Sequence, residues 1–239
     1  MKLIRSKDRK VTNAVTPNGK QASIANTFGL PSGKAYSCPG ATSVCETVCY
    51  AGKLEKVFKG VRKNLVHNWD LLKDADYLTM YSLIHEMISD FVKDCDRRGA
   101  EKLFRIHWDG DFFSEDYAIA WRDVIVDFKD VQFWAYTRSD FAVPILKDIS
   151  NLGLYFSTDD DNRELGKSLK AEHSVKLAFL SKTFAEGKLG MLEITPKSAI
   201  PCPENNGKIP MISGKGSACV TCSQCVFARN DILFSASKK

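Results

Sequence analysis

Between Leu103 and Leu180 the chain alternates short aromatic or β-branched runs with stretches of helical periodicity, and this alternation constrains the fold more than any other feature. Leu103–Trp108 reads as a strand, and Ser114 caps a helix whose apolar face is Tyr117, Trp121, Val124, Ile125 and Phe128. Val131–Thr137, Gly153–Ser157 and Val175–Leu180 read as further strands. Helices from Ser139 or Asp140 through Ile149, and over Asn162–Glu172, separate them. Met191–Ile194 adds another strand, with room for only a turn or two of helix before it. Strands joined through helices run parallel, because each crossover carries the chain back to the end of the sheet from which it started.

Upstream, Ala22, Ile24, Asn26 and Phe28 alternate like a short first strand. Two long amphipathic helices follow, one over Leu54–Leu72 and one from Tyr77 that stops at Gly99. The expected architecture is a partial (β/α) barrel of about six mainly parallel strands over residues 1–195, with a cysteine loop near its amino end. Residues 196–239 form a cysteine-rich extension packed on the same domain, with an extended loop over Thr195–Ser217 and a last strand at Ile232–Ser235.

Seven of the eight cysteines fall into two groups, Cys38, Cys45 and Cys49 near the start and Cys202, Cys219, Cys222 and Cys225 near the end. The eighth, Cys95, is in phase with Ile84, Ile88 and Phe91 and belongs to a helix core. No apolar run approaches the roughly 20 residues needed to cross a bilayer, and Met1–Lys10 lacks the apolar stretch of a secretory signal, so a cytoplasmic protein without membrane contact is expected. In that reducing compartment closely spaced cysteines read as thiolate ligands rather than disulfides. Three thiolates leave a metal centre with an open position and four can close one, which suggests one reactive and one auxiliary centre. Charge is uneven: residues 1–63 carry 12 Lys/Arg against 3 Asp/Glu, residues 64–196 carry 16 against 24, and residues 197–239 carry 6 against 2. Both cysteine-bearing ends are therefore basic. Positive charge there would offset ligated thiolates, with Lys208, Lys215 and Arg229 around the second group, or attract a nucleic acid. A solvated basic surface accounts for it equally well, since no dense Lys/Arg run with interleaved aromatics is present.

In parallel α/β folds the loops leaving the carboxyl ends of the strands share one rim, where sites form. The sequence puts its unusual residues there: the cysteine loop after strand one, His107-Trp108-Asp109-Gly110-Asp111 after strand two, Thr137-Arg138-Ser139 after strand three and Thr158-Asp159-Asp160-Asp161-Asn162 after strand four. Ser181-Lys182 follows strand five, and Cys202 follows the strand ending at Ile194. Each has an ordinary structural role open to it as well: strand-end packing for His107 and Trp108, a surface position for Arg138, helix capping for Asp159–Asp161.

Three cysteines after the first strand, a helix, and a Gly-plus-acid motif after the second resemble the radical S-adenosylmethionine enzymes, although the spacing here is C-x6-C-x3-C in place of their usual C-x3-C-x2-C. The chain also resembles phage-encoded "gene product" proteins, through Cys38-Pro39-Gly40-Ala41-Thr42 with Cys49-Tyr50-Ala51-Gly52, Arg105-Ile106-His107 with Gly110-Asp111-Phe112, and Phe133-Trp134-Ala135-Tyr136-Thr137-Arg138-Ser139. The radical-enzyme resemblance implies a [4Fe–4S] cluster on Cys38, Cys45 and Cys49 that binds S-adenosylmethionine. It further implies catalytic roles for Asp109, Asp111 and Arg138, and cofactor contacts from Gly110, Thr158, Asp159 and Asn162. Cys202, Cys219, Cys222 and Cys225 would hold a second cluster, or zinc. A small-molecule or nucleotide substrate, or a nucleic-acid base, and an electron donor such as flavodoxin or ferredoxin complete that expectation. The alternative is a zinc-stabilised nucleic-acid-binding protein acting in phage replication.

Overall fold

The computed structural model describes residues 1–8, 10–11, 14–15, 21–22, 24–196, 199–213 and 216–237. Lys215, expected beside the second cysteine group, lies outside them. A short antiparallel pair, β1 (Ala14–Val15) and β2 (Gln21–Ala22), precedes the main sheet. The first strand of that sheet is β3 (Thr27–Gly29). Four helices follow: α1 (Ser43–Val48), α2 (Tyr50–Val57), α3 (Lys59–Leu72) and α4 (Tyr77–Arg98). The periodicity of Leu54–Leu72 suggests one helix, but Phe58 is extended (φ −110°, ψ 94°) and splits it in two. Helix α4 ends where Gly99 adopts φ 60°, as the sequence indicates.

Strand and helix then alternate: β4 (Leu103–Asp109), α5 (Glu115–Asp127), β5 (Gln132–Thr137), α6 (Ala142–Leu146), β6 (Leu152–Thr158), α7 (Arg163–His173), β7 (Lys176–Ser181) and α8 (Phe184–Ile194). Ser114 caps α5 by accepting from the Tyr117 N–H. Met191–Ile194 is not a strand: it is the last turn of α8, which opens with a capping box between Thr183 and Glu186. Gly187 and Gly190 look like breakers in the sequence. They serve close approach instead, since a Cβ on Gly190 would stand 2.6 Å from the Phe179 ring. Helix α6 is also shorter than its sequence suggests, because Lys147 leaves helical geometry (ψ 159°) and Asp148 follows at φ 65°.

The extension supplies β8 (Ile200–Pro201), the antiparallel pair β9 (Ile212–Ser213) and β10 (Gly216–Ser217), helix α9 (Ala218–Cys222) and β11 (Ile232–Ser235). Thr195–Ser217 is thus partly strand, and Cys202 follows β8 rather than a strand ending at Ile194. The main sheet has seven strands in the order β3-β4-β5-β6-β7-β11-β8, all parallel and not closed. Sequential order from β3 to β7 through intervening helices that pack on one face is the arrangement of a barrel.

That face buries Phe104, Ile106, Phe133, Ala135, Leu154, Phe156, Leu177 and Phe179 against helical residues such as Phe91, Trp121 and Ile125. Cys95 is buried in the same core. The other face carries Trp134, Tyr136, Tyr155, Ala178, Ile232 and Phe234, and Val11, Val226, Cys202 and Cys225 cover them. Among the described residues no helix is long and apolar enough to cross a membrane.

Candidate functional site

The loop after β3 is drawn onto the rim by hydrogen bonds to the ends of β4, β5 and β6. The Leu30 N–H donates to the Asp109 carbonyl (3.0 Å), and Ser37 donates through Oγ to the Pro31 carbonyl (2.7 Å) while accepting from the Asp111 N–H (3.3 Å). Gly110 makes this possible. It sits at φ +82°, and a Cβ there would lie 2.5 Å from Ser37 Oγ and 2.8 Å from Leu30 Cβ. Its role in the fold is therefore to admit the cysteine loop.

Gly40 approaches the next strand end as closely, since a Cβ would stand 2.1 Å from the Arg138 carbonyl oxygen. Thr42 then caps α1, accepting from the Cys45 N–H (3.0 Å), and donates to Asp159 Oδ2 (2.6 Å). The same carboxylate oxygen pairs with Arg138 Nη1 at 2.7 Å, and both side chains are buried. Asp161 accepts from Ser43 Oγ and, more weakly, from the Val44 N–H. Cys49 caps α2 through its sulfur, which accepts from the Gly52 N–H at 3.3 Å. Cys38, Cys45 and Cys49 are half-buried on this loop. Burial and then the Asp111 carboxylate push the Cys38 thiol up; burial also raises Cys45, against the opposing charge of Arg138.

The remaining expected site residues divide by what holds them. Asp111 accepts from the N–H groups of Phe112 and Arg138 and from Thr137 Oγ1, each at 2.7 Å, and burial still raises its carboxyl to about 6. Thr158 donates to Asn162 Oδ1 (3.0 Å), which also accepts from the Asp159 N–H (2.8 Å), so Thr158 and Asn162 fasten the start of α7. Asp109 differs. Its Oδ1 accepts from the Gly110 N–H (2.9 Å), and its carboxyl also faces the Glu55 carboxyl within hydrogen-bonding reach. Burial, and then the Glu55 carboxylate, lift Asp109 to about 8, so at neutral pH its carboxyl largely keeps its proton. His107 packs among the rings of Phe112 and Tyr117, and burial lowers it to about 3, leaving a neutral ring suited to core packing.

The second cysteine group lies across the face of the sheet opposite α4 and α5, with Cys219 and Cys222 on the short helix α9. The Cys202 N–H donates to the Leu233 carbonyl (2.9 Å) and the Cys219 N–H to the Lys10 carbonyl (3.0 Å). Gly153 lets the chain pass directly over β6, where a Cβ would stand 2.6 Å from the carbonyl oxygens of Cys225 and Val226. Burial raises Cys219 and Cys225 to about 12, with Arg105 opposing the shift at Cys219 and the Tyr136 hydroxyl opposing it at Cys225. Cys225 also feels the charges of Cys202 and Cys222, which sets these thiols in one electrostatic neighbourhood.

All eight cysteines are free thiols. Among the described residues no three His, Cys, Asp or Glu side chains stand close enough to enclose one metal ion. A tetrahedral ion with metal–sulfur bonds of about 2.3 Å needs thiolates roughly 4 Å apart. A polynuclear cluster interposes its own iron and sulfide atoms and spans a wider separation of its thiolates.

Sequence patterns alone do not reveal the roles of Ser37, Thr42, Glu55 and Arg105. Glu55 on α2 accepts from the Ser32 N–H (2.9 Å) and pairs across the break at Phe58 with Arg62 on α3 (3.0 Å), a contact no single-helix spacing would show. Arg105 pairs with Asp8 at 2.6 Å and donates to the Tyr50 hydroxyl (3.2 Å), between the two cysteine groups.

A family model described as Gene product 88 matches residues 1–228. The Gene 88 protein of Mycobacterium phage L5 is 53% identical over 243 residues, covering 100% of this chain and 99% of the relative. The Gene 88 protein of Mycobacterium phage D29 is 52% identical over 243 residues, covering 99% of each. No solved structure matches. With the matched model spanning nearly its whole length, the chain belongs to the phage gene product 88 family.

Proposed function

We propose that this protein is an iron–sulfur enzyme of the radical S-adenosylmethionine type that modifies a nucleotide or nucleic-acid base. Cys38, Cys45 and Cys49 hold a [4Fe–4S] cluster with one open iron, and Cys202, Cys219, Cys222 and Cys225 hold a second cluster or a zinc ion. The observation that carries the reading is the seat of the first three thiols: one loop at the carboxyl end of the first strand of an open parallel sheet, locked against Gly110 and Asp111 at the end of the second. A cluster held by Cys38, Cys45 and Cys49 would supply one-electron reductive cleavage of the S-adenosylmethionine sulfonium, with electrons from a flavodoxin- or ferredoxin-like donor.

The chain's own residues prepare that site. Asp111 fixes the ends of β4 and β5 against each other, and the Arg138–Asp159 pair holds Thr42 and so the start of α1. Asp109 holds a proton on a carboxyl beside that of Glu55, and this acid pair faces the amino group of a bound cofactor.

Anaerobic purification with iron, sulfide and zinc analysis tests the reading. About eight irons per chain are expected with two clusters, or about four with zinc at the second site. Cys45→Ala should abolish S-adenosylmethionine binding and remove one cluster, while Cys222→Ala should leave S-adenosylmethionine binding intact. Unchanged iron and cofactor binding in Cys45→Ala would sink the assignment. One zinc with no iron would replace it by the zinc-stabilised nucleic-acid-binding function.

A further inference from the structure

Directly after Cys49, the chain displays a surface that the core does not use. Tyr50, Lys53, Leu54 and Val57 recur at the spacing of one face of α2, and that face is turned to solvent: Tyr50 is 55% exposed, Leu54 36% and Val57 69%. Phe58, in the break before α3, is 53% exposed. Residues 50–63 carry five Lys/Arg against one carboxylate, Glu55, which is buried and already paired with Arg62. Lys53, Lys56, Lys59 and Lys63 are exposed, and among the described residues none has a carboxylate within ion-pair distance. Lys2, Lys73 and Lys93 pair with carboxylates, whereas Lys129, Lys167 and Lys188 have no ion pair among the described residues, so what sets residues 50–63 apart is four such lysines on one short stretch beside the exposed rings of Tyr50 and Phe58.

We infer that this face docks a single-stranded nucleic acid and delivers it to the adjacent cysteine loop. The inference deepens the function proposed above by naming its substrate class, and rests on that reading only for what happens at the rim. Unpaired lysines beside exposed aromatic rings match what a single strand presents, phosphates on one side and base faces on the other. Tyr50 is prepared for stacking: its hydroxyl donates to the Trp108 carbonyl (2.8 Å) and accepts from Arg105, which fixes the ring while leaving it exposed. The cation chemistry argues against a protein partner, because protein interfaces favour arginine and are depleted in lysine, and the single arginine here is tied to Glu55 and Tyr36. The exposed rings of Tyr50 and Phe58 favour a single strand over a duplex, whose base faces are stacked on one another.

Fluorescence anisotropy with labelled 20-nucleotide DNA and RNA single strands tests the docking on the full chain, with iron measured on the same preparation. Binding should weaken with salt. The triple variant Lys53→Ala/Lys56→Ala/Lys59→Ala should lose about tenfold or more in affinity and reduce the log–log salt slope by about two, at roughly 0.7 per phosphate contact. Phe58→Ala should lose about tenfold through stacking while leaving that slope unchanged. The charge-matched control Lys129→Ala/Lys167→Ala/Lys188→Ala, at exposed positions on other elements, should bind as the parent does. Equal loss in the control, no loss in the α2 variant, or no binding by the parent would overturn the inference. So would equally tight binding of a duplex, or of polyglutamate without sensitivity to Phe58→Ala, the latter assigning the face to an acidic protein. Failure of docking with iron present leaves the cluster reading standing, and docking without iron separates the two in the other direction.

Discussion

The two cysteine-bearing regions are held to the same sheet by opposite means. The loop around Cys38, Cys45 and Cys49 is fastened largely through side chains: Asp159 accepts from Thr42, Ser37 Oγ accepts from the Asp111 N–H, and Glu55 of α2 accepts from the Ser32 N–H. The segment around Cys219–Cys225 is held largely through its backbone. Tyr155 donates to the carbonyls of Gln224 (3.2 Å) and Asn230 (2.9 Å), Gln132 donates to the Val226 carbonyl (2.8 Å), and Trp134 packs on Val226. A loop locked by charged and hydroxylic side chains is rigid only while each partner is present, because an orphaned buried charge is costly. A segment seated by its main chain on an aromatic surface depends on shape, and loses stability in smaller steps.

The sharpest way to break this contrast is Asp159→Ala. It leaves Arg138, only 8% exposed, without its buried counter-charge and removes the acceptor for Thr42. A loss of about 3–5 kcal/mol in urea unfolding is expected. Asp159→Asn should recover part of it by keeping an acceptor for Thr42. On the other face, Tyr155→Phe removes both carbonyl bonds without creating a void, and about 2 kcal/mol is expected. If the two losses proved equal, the contrast between a charge-locked rim and a shape-seated segment would fail.

The same contrast explains what could be read in the sequence. Rim residues announced themselves because they follow strands whose aromatic and β-branched runs are plain: Asp109-Gly110-Asp111, Arg138 and Asp159 all stand at the strand ends where the alternation puts them. Their duties did not, because a carboxylate that fastens a loop and one that meets a ligand have the same letter; Asp111, Thr158 and Asn162 also tie strand ends and the start of α7 together, which no local pattern shows. The seat of the second group was half legible. Gln132–Thr137 has apolar residues on both faces, which requires a cover on the side opposite α4 and α5, but nothing local names the C-terminal cysteines as that cover. The strand expected at Met191–Ile194 failed for a related reason. Glycines that bring α8 onto Phe179 look, without the sheet in view, like the end of a helix.

A final test, read as a slope with pH rather than as a single loss, isolates Asp109 at the rim. Asp109 is raised from the usual carboxyl range to about 8, by burial first and then by the Glu55 carboxylate. The folded chain therefore holds a proton that the unfolded chain releases near pH 4. Between those values the native state binds more protons than the unfolded state, so this group favours folding at low pH and its contribution falls as pH rises toward 8. Asp109→Asn, which keeps the shape and removes the titration, should flatten that decline by at most about 1.4 kcal/mol per pH unit, read as urea midpoints from pH 5 to 8. Tyr155→Phe should leave the slope of the decline as it is. If Asp109→Asn leaves it unchanged too, Asp109 is ionised in the folded chain, and the proton assigned to it at the rim does not exist.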